Sequence, residues 1–559
     1  MAADSELTSI ELTQPLWAPK SLHMHLWLGL LCVLIVALLT KNLSLKLDPR
    51  EPPDLKPRIF LLGHAWGLLR YSHGYLDLLH RESGLPIYTM PLLNKKVYVI
   101  NSPLLVNAAF SNRNLSFEPF ITDFVKQMDE LSHKARSAYT EGGMHAQLMQ
   151  IFSIYLRSQH LRSMNTVQLN HMSTHLPSRG LLINVESLWI WLRDILTFTK
   201  TTALLGARNN PWLKDRSLVE AYWEYEKNPS RRLNLTGVGR RRPAQNHRKL
   251  VTALENYFDA AYDQSSDCRD SDIAAMTRAT GALQREAGFS PTDIAAAHFI
   301  IIHGGLVSAV PTTFWAVIYV FSNEELLAQA RKDALAAVTL VPADKETQRR
   351  GYKREARISS DRLEILCPLL MSVLRETQRL AAVGTLHRRV IEDTEISASE
   401  GDRKYLLRKG TAVFVPVFPV HRSETVWGSK PDEFRLGRFH KDKGPNWKRA
   451  GNESCPLEVS QPAPASLTNL QRKAYIPFGG GRELCPGRHL AVAETLGTLV
   501  MLVLGFEITR PDSSVFRLPP FSAPKMSAQT ARPHPDADMR AQIKRREGWE
   551  DVTWRVSEE

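Results

Sequence analysis

Three long apolar stretches stand out in the pattern of hydrophobic and polar positions along the chain. The first spans residues 26–40 and contains no charged side chain. The second spans residues 290–321, and the third follows Gly487 near the C-terminal end. Apolar runs of this length are typical of helices rather than strands, so the pattern predicts one large, mostly helical domain. No Gly/Ser linker, internal repeat or low-complexity block divides the chain after its N-terminal region.

The first stretch is interpreted as a membrane anchor. Extended back to residue 22, it approaches the ~20 residues that span a bilayer. Basic residues follow it and acidic residues precede it: Lys41, Lys46 and Arg50 against Asp4, Glu6 and Glu11. The positive-inside rule then places its C-terminal side in the cytosol. A signal peptide is the alternative, but a proline-rich hinge follows instead of a cleavage site. We expect a transmembrane helix at about 22–40 within an N-terminal segment 1–48, and one domain at 49–559.

The second stretch begins with a strong helix-start signal. Ser290 suits the N-cap, Pro291 the first helical position, and Asp293 the third. A run of this length is compatible with a second transmembrane helix. His298 and His303, together with paired glycines and a proline inside the run, favour a buried helix through a large core.

Charge and cysteine content narrow the class of protein. The formal net charge is +13 and the pI is about 9.4. The charges are dispersed and no nucleic-acid-binding motif accompanies them, so a membrane surface or an acidic protein partner explains the balance better than nucleic acid does. The five cysteines are odd in number and widely spaced, which indicates a reducing compartment rather than a disulfide framework.

Cys485 carries the clearest chemical signal. It lies in a glycine-rich loop immediately before the third apolar run, and Phe478, Gly481, Cys485 and Gly487 fall at relative positions 0, +3, +7 and +9. The N-terminus of the following helix would stabilise an anionic sulfur, and glycines let the backbone approach a large flat ligand closely. A lone cysteine is usually an inert buried residue. Spacing, glycines and helix together favour a thiolate metal ligand instead.

This loop resembles the haem-binding loop of the cytochrome P-450 family, and Cys485 takes the place of its axial thiolate. The resemblance covers residues 49–556. It implies a mainly α prism fold with a small β region, which forms a haem-thiolate catalytic domain behind the transmembrane helix. It also implies that residues of the loop hold haem b: Phe478, Gly481, Arg482, Cys485 and Gly487, with Cys485 as the ligand of the iron.

Two further segments resemble structural motifs of that family. Glu376 and Arg379 stand at i and i+3 on a predicted helix, where they can pair, although this spacing alone is common in exposed salt bridges. They resemble the family's Glu-x-x-Arg. The segment 431–439 resembles the family's segment ending in Pro-Glu-Arg-Phe, and it keeps Arg438. The resemblance implies a buried Glu376–Arg379–Arg438 network that locks the haem-side core.

The middle of the second apolar stretch resembles the family's oxygen-activating segment. Ser308 takes the position of its alcohol, whereas Val307 replaces its acid. Pro311 has no N–H, so the carbonyl of Val307 loses its helical partner. A kink there, beside Gly304 and Gly305, would open a groove next to the haem, in which Ser308 relays protons or holds water or substrate. Glycines that merely allow close helix packing are the alternative.

Two departures affect the expected contacts of the haem propionates. The family commonly has Arg or His two residues before the cysteine, where this chain has Glu483. Either Arg482 takes the role through a shifted loop, or Arg388 or Arg389 does. The family's Trp-x-x-x-Arg motif is also missing, because no tryptophan occurs between residues 67 and 188.

The resemblance implies a monooxygenase that uses O2, and electrons from NADPH through a flavoprotein reductase, to oxidise a lipophilic substrate. It looks like filamentous-fungal members that tailor terpenoids, sterols or polyketides at the endoplasmic reticulum membrane. The segment 311–315 resembles the branch containing sterol 7α-hydroxylases and prostacyclin synthase, which also holds isomerases. A reductase-independent isomerase or dehydratase is therefore an alternative, and a haem carrier or sensor without turnover is a third.

Overall fold

The computed structural model describes residues 47–57, 63–92, 95–128, 130–177, 180–227, 241–260, 272–360, 362–439, 467–522 and 529–557. The predicted anchor at 22–40 lies outside the described residues. The described part is mainly α-helical with a smaller β portion, as expected.

Helices form the centre of this part of the chain. In order they are α1 Gly63–Tyr71, α2 His73–Ser83, α3 Pro103–Ser111, α4 Glu118–Lys126, α5 His133–Thr140, α6 Met144–Tyr155, α7 Ser158–His175, α8 Leu188–Leu205, α9 Pro211–Lys214, α10 Ser217–Lys227, α11 Arg241–Ala260, α12 Ala275–Glu286, α13 Pro291–Leu306, α14 Ala309–Phe321, α15 Glu324–Leu335, α16 Lys345–Arg349, α17 Leu363–Leu366, α18 Pro368–Ala381, α19 Val417–His421, α20 Glu424–Trp427, α21 Asn469–Ala474 and α22 Arg488–Gly505. Two short 3-10 turns cover Leu436–Arg438 and Gly481–Glu483.

Among the described residues, the strands form four small sheets. They are β1 Ile87–Leu92, β2 Lys95–Ile100, β3 Leu115–Ser116, β4 Ile183–Val185, β5 Val338–Pro342, β6 Arg354–Ser359, β7 Thr385–Val390, β8 Thr394–Ile396, β9 Tyr405–Leu407, β10 Ala412–Pro416, β11 Phe506–Thr509, β12 Ala541–Arg545 and β13 Val552–Ser557. The largest sheet has the order β1-β2-β10-β7-β3; the others are β11-β12-β4, β13-β6-β5 and the pair β8-β9. The edge β7-β3 contacts the cysteine loop.

The two most apolar helical segments run through the core. Within the described residues, only Pro291–Phe321 and Arg488–Gly505 are long and apolar enough to cross a membrane, and 56% and 78% of their most apolar windows are buried inside the protein. The predicted start of the first is confirmed, since Ser290 Oγ accepts from the Asp293 N–H at 3.2 Å and Asp293 Oδ2 accepts from the Ser290 N–H at 3.0 Å. A hydrogen bond of 3.0 Å between the Thr313 and Thr495 hydroxyls joins α14 to α22.

His421, at the end of α19, connects three parts of this core. It has no exposed surface. Its Nδ1 lies 2.9 Å from the Arg379 carbonyl oxygen, and its Nε2 accepts from the Ile476 N–H at 3.0 Å. Because an amide N–H can only donate, Nε2 carries no proton and the ring is neutral. Burial, together with the nearby Arg379 charge, lowers the pKa of His421 to about 3.

The depressed pKa of His421 predicts a loss of stability in mild acid. The unfolded histidine takes up a proton near its ordinary pKa of about 6.5. The folded one does so only near 3, so the free energy of unfolding falls as the pH drops from 6.5 toward 3. We expect His421→Gln to reduce that slope by up to about 1.4 kcal/mol per pH unit. Denaturant titrations between pH 7.5 and 5 measure it, with exposed His133→Gln as the control. A slope equal to that of the wild type would contradict the assignment.

Candidate active site

The loop that carries Cys485 is closed by a backbone hydrogen bond. The Cys485 N–H donates to the Phe478 carbonyl oxygen at 3.0 Å, so these two residues stand at the ends of one compact loop. Phe478 is half-buried against the main hydrophobic core. Helix α22 begins at Arg488, shortly after the cysteine. The thiol is therefore placed at the start of a long helix, as the sequence predicts.

Glycines in the loop serve different purposes. Gly481 has a φ of +68°, and a Cβ there would collide with the carbonyl oxygen of Phe110 in α3, so only glycine fits. A Cβ on Gly480 would collide with the Phe110 ring. Gly487 has a φ of −79°, and a Cβ there would meet only Cys485 Sγ, at 4.0 Å. The first two glycines press the loop onto α3, whereas Gly487 leaves space beside the sulfur.

The Cys485 thiol is surrounded by protein yet keeps exposed surface. Burial raises its pKa, while the N–H groups of Gly487 and Arg488 and the Arg488 charge lower it. These donors belong to the beginning of α22, whose positive dipole end favours an anionic sulfur. The exposed cysteine is accessible to a ligand, and a metal ion bound there would hold it as the thiolate.

Two adjacent glycines form a bare groove in the long core helix. Gly304 and Gly305 are exposed, and nothing lies within 4 Å of a Cβ built on either. Near these glycines, Ile301 packs against the same small hydrophobic cluster as Leu490 of α22. This shared cluster places the part of α13 next to the glycines near the start of the Cys485 helix.

The core helix is interrupted directly after this groove. Residues 307–308 separate α13 from α14, and Ser308 has a φ of −109°. Pro311 has no N–H to offer the Val307 carbonyl. Thr312 instead directs its N–H and its hydroxyl to the Ser308 carbonyl oxygen, at 3.1 and 2.8 Å. The interruption predicted from Pro311 is confirmed, and the half-buried Ser308 stands at it.

The structure brings Glu376, Arg379 and Arg438 together in one buried cluster. Arg379 donates Nε to Glu376 Oε2 and Nη2 to Oε1, both at 2.8 Å. Arg438 donates Nη1 to Oε1 at 2.5 Å, and the Arg435 N–H reaches the same oxygen at 3.0 Å. The Glu376 and Arg379 side chains have 0% exposed surface. A buried ion pair is tolerated only when its remaining hydrogen-bonding groups are also satisfied, which these contacts achieve.

Sequence reasoning missed His421, which links this cluster to the cysteine loop. Arg379 Nη1 donates to the His421 carbonyl oxygen at 2.6 Å, and the His421 ring joins α18 to the backbone of Ile476. The neighbouring Tyr475 hydroxyl donates to Gln378 of α18 at 2.6 Å. Because His421 bonds to backbone groups that are distant in sequence, no residue spacing could have indicated it.

The three candidate bases for a haem propionate are placed differently. Arg482 is exposed and forms no hydrogen bond or ion pair with a described residue. Arg388 is buried and pairs with Glu483, with 2.9 Å between Nε and Oε2. Arg389 pairs with Asp123 at 3.1 Å. Of the three, Arg388 is the base that the structure holds against the cysteine loop.

Comparison with known proteins agrees with this geometry. The family model described as cytochrome P-450 matches residues 52–529. The chain belongs to the cytochrome P-450 family. A cytochrome P-450 monooxygenase of Gibberella zeae is 28% identical over 543 residues, which cover 94% of this chain and 95% of the relative. One of Hypoxylon pulicicidum is 25% identical over 483 residues, 83% and 84% of the two chains. The 5-beta-cholestane-3-alpha,7-alpha-diol 12-alpha-hydroxylase of Sus scrofa is 24% identical over 548 residues, 93% and 99%.

These relatives confirm the resemblance inferred from the motifs. Fungal monooxygenases and mammalian sterol hydroxylases both match the chain over most of its length. The chain is accordingly an enzyme of the cytochrome P-450 monooxygenase family.

The buried cluster predicts a folding defect rather than a pure rate effect for Arg379→Ala. Removing Arg379 leaves the Glu376 carboxylate buried and deprived of its main partner, which costs about 3–5 kcal/mol. We expect loss of stability and of haem, measured by denaturant titration and by haem content per chain.

The control is Arg350→Ala, which breaks an exposed pair of 2.6 Å with Glu346 whose side chains are 71% and 75% exposed. An exposed pair of this kind contributes at most about 1 kcal/mol, so the control should resemble the wild type. A stable, haem-loaded Arg379→Ala protein would show that the cluster is dispensable.

Proposed function

We propose that this chain is a membrane-anchored haem-thiolate monooxygenase that uses O2 and reductase-supplied electrons to hydroxylate or otherwise oxidise a lipophilic substrate. The observation that carries the proposal is the exposed Cys485 at the start of α22, and the bare surface of Gly304 and Gly305 on α13 supports it. A thiolate donor and a helix surface without side chains suit the binding of a large planar cofactor and its substrate.

The donors available in the described residues fit haem better than a metal held by protein alone. No group of three or more His, Cys, Asp or Glu side chains that could hold a metal ion occurs in the described ranges. A single thiolate therefore suits an iron whose other ligands come from a porphyrin. Bound haem would supply the activation of O2, which an axial thiolate promotes. We assign Cys485 as the axial ligand, with the loop residues around it: Phe478, Gly481, Arg482 and Gly487.

Ser308 is the residue that we assign to proton delivery. Val307 stands where the family has an acid, so no carboxylate is available there. Pro311 has no N–H to donate to the Val307 carbonyl. This carbonyl and the Ser308 hydroxyl are therefore the polar groups at the helix interruption. A hydroxyl both donates and accepts hydrogen bonds. Ser308 can therefore pass a proton from a water molecule toward the groove without a carboxylate.

The environment and partners follow from the apolar groove and the N-terminal segment. We propose a transmembrane anchor at about 22–40 within residues 1–48, and a cytosolic catalytic domain at 49–559 on the endoplasmic reticulum membrane. NADPH-cytochrome P-450 reductase would dock on the Cys485 side, where basic side chains attract its acidic surface. We propose a terpenoid, sterol or polyketide substrate in secondary metabolism. The fungal relatives named as monooxygenases support that setting, and the relative named for a cholestane diol supports the sterol class.

A second candidate function rests on the same helix interruption. An isomerase or dehydratase that rearranges a pre-oxidised substrate needs neither a reductase nor a proton-delivering acid. Val307 and Pro311 favour it, since the first removes the acid and the second opens the helix. Electron supply separates this candidate from the monooxygenase.

The first prediction of this proposal concerns the reduced, carbon-monoxide-bound difference spectrum. Wild type should give the strongly red-shifted Soret band of thiolate-ligated haem, and Cys485→Ser should lose it because the ligand is gone. Cys367→Ala is the control: it removes a different, buried cysteine, the N-cap residue of α18, and should keep the band. NADPH with the flavoprotein reductase should produce the same band in wild type as dithionite does.

Each arm of that experiment decides a different question. A folded wild type with no red-shifted band under any reductant overturns the haem-thiolate assignment. A band that appears with dithionite but not with NADPH and reductase favours the isomerase or dehydratase instead.

The second prediction concerns Ser308→Ala. If the hydroxyl delivers protons, its removal should lower product formation per NADPH consumed by about 100-fold or more while substrate-induced changes of the Soret band persist. Ser322→Ala, at the far end of α14, provides the control. Unchanged coupling in Ser308→Ala would remove Ser308 from the mechanism.

A further inference from the structure

The cysteine loop carries an acid two residues before Cys485, and the structure gives that acid a full set of partners. The Phe117 N–H donates to Glu483 Oε1 at 2.7 Å and to Oε2 at 2.8 Å. The Ser116 hydroxyl donates to Oε1 at 3.0 Å, and Arg388 Nε lies 2.9 Å from Oε2. Hydrogen-bond donors thus surround both carboxylate oxygens.

These partners belong to elements that are distant in sequence from the loop. Ser116 ends β3, Phe117 is the N-cap of α4, and Arg388 lies in β7 of the five-stranded sheet. β3 and β7 are themselves paired. One carboxylate thus fastens the cysteine loop to the sheet edge and to the start of a helix, where a negative charge is favourable.

Arg388 holds the other end of the same turn. Its Nη2 donates to the Gly480 carbonyl oxygen at 3.1 Å, its Nη1 donates to the His387 carbonyl at 2.8 Å, and its guanidinium stacks 4.8 Å from the Phe110 ring centre. Its side chain is only 7% exposed. Arg388 therefore binds the turn 480–483 at both ends. Glu483 supplies the negative charge that the buried Arg388 guanidinium requires.

We propose that Glu483 is a positioning residue for Cys485, an inference that rests on the proposed function. Glu483 fixes the cysteine loop through contacts within the protein, and these contacts do not depend on a carboxylate of the haem. An arginine or histidine at this position would need a carboxylate of the haem as the partner for its positive charge. Glu483 finds its partners inside the protein, so the loop shape is set before haem binds.

The short tether between the two residues transmits the effect. Glu483 and Cys485 are separated by one residue, and a residue spans at most about 3.6 Å. Movement of the carboxylate therefore displaces the sulfur, and groups that orient a metal ligand typically change metal affinity by about 10- to 100-fold when they are removed.

The experiment compares wild type with Glu483→Ala, Glu483→Gln and Glu346→Ala. Glu483→Gln keeps the shape and an acceptor but removes the charge that faces Arg388. Glu346→Ala is the matched control, because Glu346 is also a glutamate paired with an arginine, at 2.6 Å from Arg350, but both side chains are exposed and neither belongs to the cysteine loop. Two rates are measured: haem transfer to excess apomyoglobin, and conversion of the carbon monoxide complex from the thiolate-type Soret band to the form that has lost the thiolate. Far-UV circular dichroism reports the fold.

We expect Glu483→Ala to accelerate both rates by about 10- to 100-fold at an unchanged helical signal, Glu483→Gln to accelerate them less, and Glu346→Ala to leave them unchanged. If Glu483→Ala does not fold, Glu483→Gln decides the matter. Rates in Glu483→Gln and Glu483→Ala that match Glu346→Ala would overturn the inference. A wild type without the thiolate-type band would instead defeat the proposed function, so the two failures are distinguishable.

Discussion

A carboxylate without exposed surface must have its oxygens satisfied by the protein, and Glu376 meets that requirement with donors from three residues. Arg379 reaches it from the same helix, whereas Arg435 and Arg438 reach it from a segment more than fifty residues later. The cluster thus works only when both segments are in place. Arg379 and His421 then extend the same bonding to Ile476, which leads into the cysteine loop. The position of the thiol depends on this chain of buried bonds.

The sequence predicted the parts of the site whose chemistry is local. The Ser290 cap, the i, i+3 pair of Glu376 and Arg379, and the glycine spacing before Cys485 are all short-range patterns, and the structure places each as expected. The Pro311 interruption is also local, since it follows from one missing N–H. The mostly helical class followed from the length of the apolar runs for the same reason.

The remaining parts depend on contacts between distant segments, which no spacing encodes. His421 bonds to two backbone groups, so its partners have no side-chain identity that a sequence could display. The contact of Gly481 with Phe110 joins residues from opposite ends of the domain. In the sequence, Glu483 is only a departure from the family pattern. The folded positions of Phe117 and Arg388 show which groups its carboxylate binds.

The thiol itself explains why the loop needs so many independent fastenings. Burial raises the pKa of Cys485, and the helix donors and Arg488 only oppose that effect. A bound metal ion would therefore be the chief stabiliser of the anionic form, and before binding the sulfur would contribute little to holding its own loop. Order must come from elsewhere: from the Phe478 carbonyl, from glycines pressed onto Phe110, and from Glu483. An acid suits the last role because Arg388 is already buried beside the loop, and a second base there would leave two like charges with no internal partner.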